Sequence, residues 1–259
     1  MLLRHDEEGV LAIGQASHAW LAGQIARAWG NDVFGSVDPW EEVCLAAEQH
    51  DVGMAAWDSE PSFDERTGLP HSFLDMPLEV HLRLWQEGPS RLVSQSAYAA
   101  MLVSMHGWRL YSRRDLDRSP PADARRIRDF LATHRKFQER LLTLLDHDPR
   151  RPETLAPGAI ERNSLLIWTW DYLSLALCLD LAPATAKGAP TRAGAVDLQI
   201  TGDGERTFEL EPWPFQAESI RVGCEGRRLP ERFKDEAEMR RGLGEAPVER
   251  LELVLHRRA

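Results

Sequence analysis

The sequence predicts a mainly α-helical protein with a small β-rich appendage after its helices. Three observations carry that prediction. Apolar residues recur at helical spacing in long stretches up to about residue 182. A segment rich in Pro, Ala, Thr and Gly, PATAKGAPTRAGA, interrupts the pattern from Pro183 to Ala195. Beyond it the pattern changes to strict alternation around a TGDGE turn. The expected organisation is a helical unit over 1–182, a linker over 183–195 and an α+β appendage over 196–259.

The elements follow in order. Residues 1–14 read as a short extended lead-in. QASHAWLAGQIARAW, 15–29, has one apolar face made by His18, Leu21, Ala22, Ile25 and Trp29, and stops at Gly30-Asn31. A second helix is expected from Pro39, a good first-turn residue with Asp38 as cap, running through AAEQHDVGMAAWD. Val43, Ala47, His50, Met54 and Trp57 form its stripe, with Asp51 at the edge. The polar segment 58–77 is long for a loop in a compact domain, which favours a functional role. PLEVHLRLWQEG predicts a short helix. SRLVSQSAYAAMLVSMHGWRLYSRR predicts a long one, with Ala99, Leu102, Val103, His106 and Leu110 on one face. PADARRIRDFLATHRKFQERLLTLLDHD and ERNSLLIWTWDYLSLALCLDL predict two more. In the last, Ser164, Ile167, Trp168, Asp171, Leu175 and Cys178 share a stripe. AVDLQITGDGERTFELEPW then reads as a hairpin. SIRVGCEGRRLP and VERLELVLHR read as strands, with a charged helix between them.

Composition excludes several classes. A net charge of −10 argues against binding to nucleic acid or to an anionic membrane. No apolar run is long enough to span a bilayer, and the N-terminal residues lack a secretory pattern. Three widely spaced cysteines, Cys44, Cys178 and Cys224, read as reduced core thiols of a cytoplasmic protein. Neither a P-loop, GxGxxG, GxSxG, HExxH nor an EF-hand loop is present.

Chemistry enters through polar residues on apolar stripes. Asp171 is the sole residue charged at neutral pH between Arg162 and Asp180. A buried carboxylate without a positive partner costs several kcal/mol or takes up a proton. Three histidines and two aspartates on four helices therefore point into one core. Imidazole with carboxylate is the ligand set of borderline divalent ions such as Mn, Fe, Co, Ni and Zn, and one dication offsets both carboxylates.

The order His18, His50-Asp51, Asp171 resembles that of the HD-domain superfamily of metal-dependent phosphohydrolases. HDVG is close to its HD-[IV]-G string, and Asp171-Tyr172-Leu173-Ser174 is similar to its last ligand turn. The chain is also similar to an uncharacterised bacterial family of domains of unknown function, through its QASHAWLA opening and its VSMHG string. The HD resemblance covers about 15–180 and implies an HD-type helical bundle. It implies one divalent ion, Mn, Fe, Co, Ni, Mg or Zn, held by His18, His50, Asp51 and Asp171, with His71 and His106 as candidates for a second. A metal-activated water would hydrolyse a small phosphate ester or nucleotide. Asp51, Asp58 and His106 are the catalytic candidates, with Arg109 and Trp57 on the substrate, a small anion. Met54 replaces the lysine that some branches carry after HD-x-G, and no HHE…GYP string follows. The alternatives are a di-iron oxygenase on the same scaffold and an inactive binding or regulatory module. A homodimer is compatible with all three.

Overall fold

The computed structural model describes residues 1–147, 153–202 and 206–258. It opens with an antiparallel hairpin, β1 (Leu2–Asp6) and β2 (Gly9–Ile13). Helix α1 (Gln15–Ala28) follows directly, and α2 (Trp40–Glu48) comes after a loop that turns at Gly30 and Gly35. The short α3 (Ala55–Ser59) leads to a two-stranded ribbon, β3 (Phe63–Asp64) with β4 (Leu69–Pro70). Helices α4 (Leu78–Leu92), α5 (Ala97–Ser112), α6 (Pro121–Leu145) and α7 (Pro157–Cys178) complete the helical layer. Five strands and a helix follow: β5 (Ala184–Thr191), β6 (Gly194–Gly202), β7 (Thr207–Glu211), β8 (Ser219–Leu229), α8 (Glu236–Glu245) and β9 (Val248–Arg257).

The mainly α, all-helical expectation is overturned. The molecule is an α/β fold, about 49% helix, with a curled seven-stranded mixed sheet in the order β1-β2-β8-β9-β7-β6-β5. Among the described residues, only the β7–β9 pair is parallel. Two misread segments account for the difference. The expected lead-in is the β1–β2 hairpin, and β2 pairs with β8 from Val10↔Leu229 to Ile13↔Gly226. The expected linker 183–195 contains β5 and its turn into β6. Its composition hid the strand because β5 is an edge. An edge tolerates Pro190, which has no N–H to give, and the register slips where Gly188 adopts φ +71°. The TGDGE turn falls mostly on residues outside those described.

Within the helical layer three boundaries differ from expectation. Asp38 does not cap α2; Pro39 occupies that position without a side-chain bond. Helix α4 continues through Pro89 to Leu92, so the helix expected from Ser90 begins instead at Ala97, capped by the Ser96 hydroxyl accepting from the Ala99 N–H. The third concerns His50-Asp51. Helix α2 ends at Glu48, and both residues sit in a turn before a 3-10 segment at Val52–Met54. Gly53 fixes that turn against α4: a Cβ there would lie 2.3 Å from the Leu84 carbonyl oxygen.

One core joins the two layers. Leu21, Ile25, Ile167, Trp170 and Leu177 of α1 and α7 pack with Leu198, Leu210, Val222, Leu251 and Leu253 of the sheet. Arg4 on β1, almost fully buried, ties hairpin to helix. It donates to the Leu177 and Cys178 carbonyls at the end of α7 and pairs with Asp180 at 2.9 Å. A second cluster, Leu84, Trp85, Tyr111, Ile127 and Phe130, holds α4, α5 and α6 together. Among the described residues, no helix is long and apolar enough to cross a membrane.

Candidate metal centre

Four structural segments meet at one buried point. Helix α1 brings His18, the turn after α2 brings His50 and Asp51, α5 brings His106 and α7 brings Asp171. The three histidines and Asp51 are almost fully buried, while Asp171 keeps 18% of its side chain open to a cavity. His18 Nε2 lies 2.8 Å from Asp51 Oδ2. His50 Nε2 lies 3.8 Å from Asp51 Oδ2 and 3.2 Å from Asp171 Oδ1. His106 Nε2 lies 3.4 Å from Asp171 Oδ2. Two overlapping sets result, His18-His50-Asp51 and His50-His106-Asp171, each with its ligand atoms within 4.8 Å of one another.

The bonds behind the rings decide which nitrogen faces the cluster. His50 Nδ1 is 2.8 Å from the Ala47 carbonyl, which only accepts, so Nδ1 carries the hydrogen. Ser174 Oγ donates to the Asp171 carbonyl at 2.8 Å, so its oxygen is left to accept from His18 Nδ1 at 3.0 Å. Both rings thus turn Nε2 inward. That is the arrangement by which a neighbouring oxygen orients an imidazole toward a metal. His50 Nε2 is close to both carboxylates and directed at neither, which leaves it without a hydrogen-bond partner.

The charges agree. Burial pushes the His50 pKa down, but Asp51 and Asp171 outweigh it and hold it up at about 9. Burial pushes Asp171 up, and His106 and His50 beside it hold it far below the usual carboxylate range. Burial likewise raises Asp51, and His50 and His18 bring it below its ordinary value. Without an ion, positive charge at the centre comes from a proton.

His106 is packed between two indoles, with ring centroids 5.4 Å from Trp85 and 5.6 Å from Trp168. Gly107 makes this approach feasible, since a Cβ there would meet the Trp85 ring at 2.7 Å. The cluster opens on a cavity of about 330 Å³ whose wall also includes His81, Tyr111 and Arg114.

Four predicted site residues are not brought to the cluster. His71 is held in the loop by Ser62, at 3.0 Å. Asp58 pairs with the Met1 ammonium at 2.6 Å and accepts from the Gln15 N–H, so it serves the start of α1. Arg109 is taken by Glu161 at 2.8 Å and by Ser164. Trp57 packs beside Met54 and Trp85 in the α4–α6 cluster and lines no part of the cavity. The sequence reading missed His81, Trp85, Tyr111 and Arg114. A signal existed for the first two: His81, Leu84 and Trp85 follow helical spacing in PLEVHLRLW. Tyr111 and Arg114 sit beyond the apolar stripe of α5, where nothing in the pattern marks them.

Fold and site together define an α/β protein built round a buried histidine–aspartate cluster. Residues 1–231 match the family model described as Protein of unknown function (DUF3891), and the chain belongs to that family. No curated protein and no solved structure matches it.

Proposed function

We propose that the protein is a metal-dependent phosphohydrolase of the HD type, acting on a small phosphate ester or nucleotide. The observation that carries this reading is the pair of inward-facing Nε2 atoms, on His18 and His50, set against two carboxylates. Both rings give their Nδ1–H to an oxygen behind them, and His50 Nε2 is left unpartnered. His18, His50, Asp51 and Asp171 would hold a divalent ion, with His106 at its cavity side. When bound, such an ion supplies a Lewis acid and lowers the pKa of water toward neutrality. The chain's own part is to fix the imidazoles, keep two carboxylates ionised and exclude bulk water through Trp85 and Trp168. The substrate is a small anion admitted through the cavity. A cytoplasmic setting belongs to the same proposal, because Cys44, Cys178 and Cys224 are buried free thiols.

The test is elemental analysis of protein purified without a metal-affinity tag, with phosphate release measured on a panel of monoesters, diesters and nucleotides. About one divalent ion per chain is expected, lost in His50→Ala and Asp171→Asn while the far-ultraviolet spectrum is kept. Hydrolysis should go with it. No uptake of Mn, Fe, Co, Ni or Zn by the wild type would overturn the metal site, and metal without hydrolysis would overturn the activity. The two overlapping ligand sets also favour a second reading, an oxygenase holding two irons, which the same analysis distinguishes by its iron count.

A further inference from the structure

Beside the cluster, starting from the Trp85 indole that packs on His106, the cavity wall holds a hydrogen-bond relay that the candidate metal ligands do not use. Trp85 Nε1 donates to His81 Nε2 at 3.0 Å. An indole N–H only donates, so His81 Nε2 bears no hydrogen and the ring is the neutral tautomer with its hydrogen on Nδ1. Nδ1 is in close contact with the Tyr111 hydroxyl. The tyrosine oxygen therefore accepts from His81, and its own hydrogen is left over. No described group takes that hydrogen. The Tyr111 side chain is fully buried, and it lines the cavity.

Arg114 completes the arrangement. One turn after Tyr111, it lies over the tyrosine ring at 4.6 Å and lines the same cavity at its exposed end. It makes no ion pair among the described residues, whereas Arg109, nearer the cluster in sequence, is held by Glu161. Apart from Gln15, the rest of the cavity lining is apolar: Phe73, Leu74, Met76, Leu78, Leu110 and Leu175. A buried O–H donor and an unpaired guanidinium lining one cavity are groups that receive an oxyanion. Apolar walls receive a short hydrocarbon or aromatic body.

We propose that Tyr111 and Arg114 form an oxyanion-binding subsite, distinct from the His–Asp cluster, for a small organic anion with an apolar body. Carboxylate and phosphate share this chemistry. The inference rests on reading the cavity as a substrate site, but not on a bound metal, so it is tested on chelator-treated protein. Titration calorimetry with phenylphosphonate and with phenylacetate gives the dissociation constants. At least one probe should bind the wild type, and the tighter one identifies the anion. Tyr111→Phe and Arg114→Ala should each weaken it by about tenfold, the worth of one charge-assisted or buried hydrogen bond. Arg109→Ala, outside the cavity, should bind as the wild type does. Arg114 is exposed, so its variant tests the subsite even where Tyr111→Phe disturbs folding. Failure of both probes to bind the wild type would overturn the subsite, and so would unchanged affinity in Arg114→Ala. Failure of the metal reading appears separately, in the elemental analysis.

Discussion

His134 shows what burial does to an imidazole that no carboxylate compensates. It is 2% exposed, bonded through Nδ1 to Ser104 at 2.7 Å, with Nε2 unpartnered. Burial pushes its pKa down from 6.5 to about 4, and burial does the same to His81. The folded form keeps these rings neutral while the unfolded chain protonates them near pH 6.5. Their stabilisation is therefore complete above pH 6.5 and is lost as pH falls toward 4. For His134 the loss amounts to about 2 kcal/mol by pH 5. His134→Gln should show a smaller fall in melting temperature between pH 7.5 and pH 5 than the wild type, and equal slopes would remove His134 from the account. The contrast with His50, held up at about 9 by two aspartates, separates a packed ring from a ring in an ionic centre. That distinction was partly legible in the sequence. Asp171 stood out because no other charge lies near it in α7. His81 did not, because its partners Tyr111 and Trp85 are 30 and 4 residues away and only packing brings all three together.

At the scale of elements, the interruption of α2 matters most. Periodicity suggested a continuous helix through His50 and Asp51, since the apolar spacing survives the break. Backbone conformation is set here by Gly53, which lies against Leu84 and Gly88 of α4. Sequence spacing carries no information about that approach. Ending the helix at Glu48 lets two adjacent side chains reach one point, which a regular helix would separate by about 100°. Gly53→Ala would force the turn away from the Leu84 carbonyl. A loss of about 2–3 kcal/mol is expected, as for other overpacked sites, together with weaker metal retention. Gly158→Ala, in the first turn of α7 with nothing within 4 Å of its added methyl, is the matched control. It should be neutral or raise stability by about 0.5–1 kcal/mol. A thermal melt of both variants checks the pair, and equal melting temperatures would sink the argument. Long helices were read well for the opposite reason. In α1, α6 and α7 the apolar stripe runs on without a break, and Pro121 opens α6, although none of the three carries a side-chain N-cap.

At the scale of the molecule, the sheet is shared between distant parts of the chain. Hairpin β1–β2 is hydrogen-bonded to β8, and the sheet's inner face is covered by α1 and α7. Strand alternation in β6 to β9 was visible, but which strands neighbour which was not, because pairing is non-local. The segment 1–182 alone would leave Leu21, Ile25, Ile167 and Trp170 without the sheet residues they pack on. Expressed alone it should lack a cooperative thermal transition, whereas the full chain should melt in one step. A folded 1–182 fragment would show that the layers are separable. Leu253→Ala, on the inner face of β9, should cost about 2–5 kcal/mol and lower that single transition without splitting it.

The position of β9 has a consequence for how the chain is made. It is the last strand in chain order, yet it lies between β8 and β7 near the middle of the sheet. A ribosome delivers β7 and β8 before the strand that joins them. Until β9 is in place, β7 and β8 each carry an edge ladder with nothing to pair with, on a sheet whose Phe208, Leu210, Val222 and Cys224 are buried in the finished fold. Such nascent edges are what chaperones bind and what aggregates grow from.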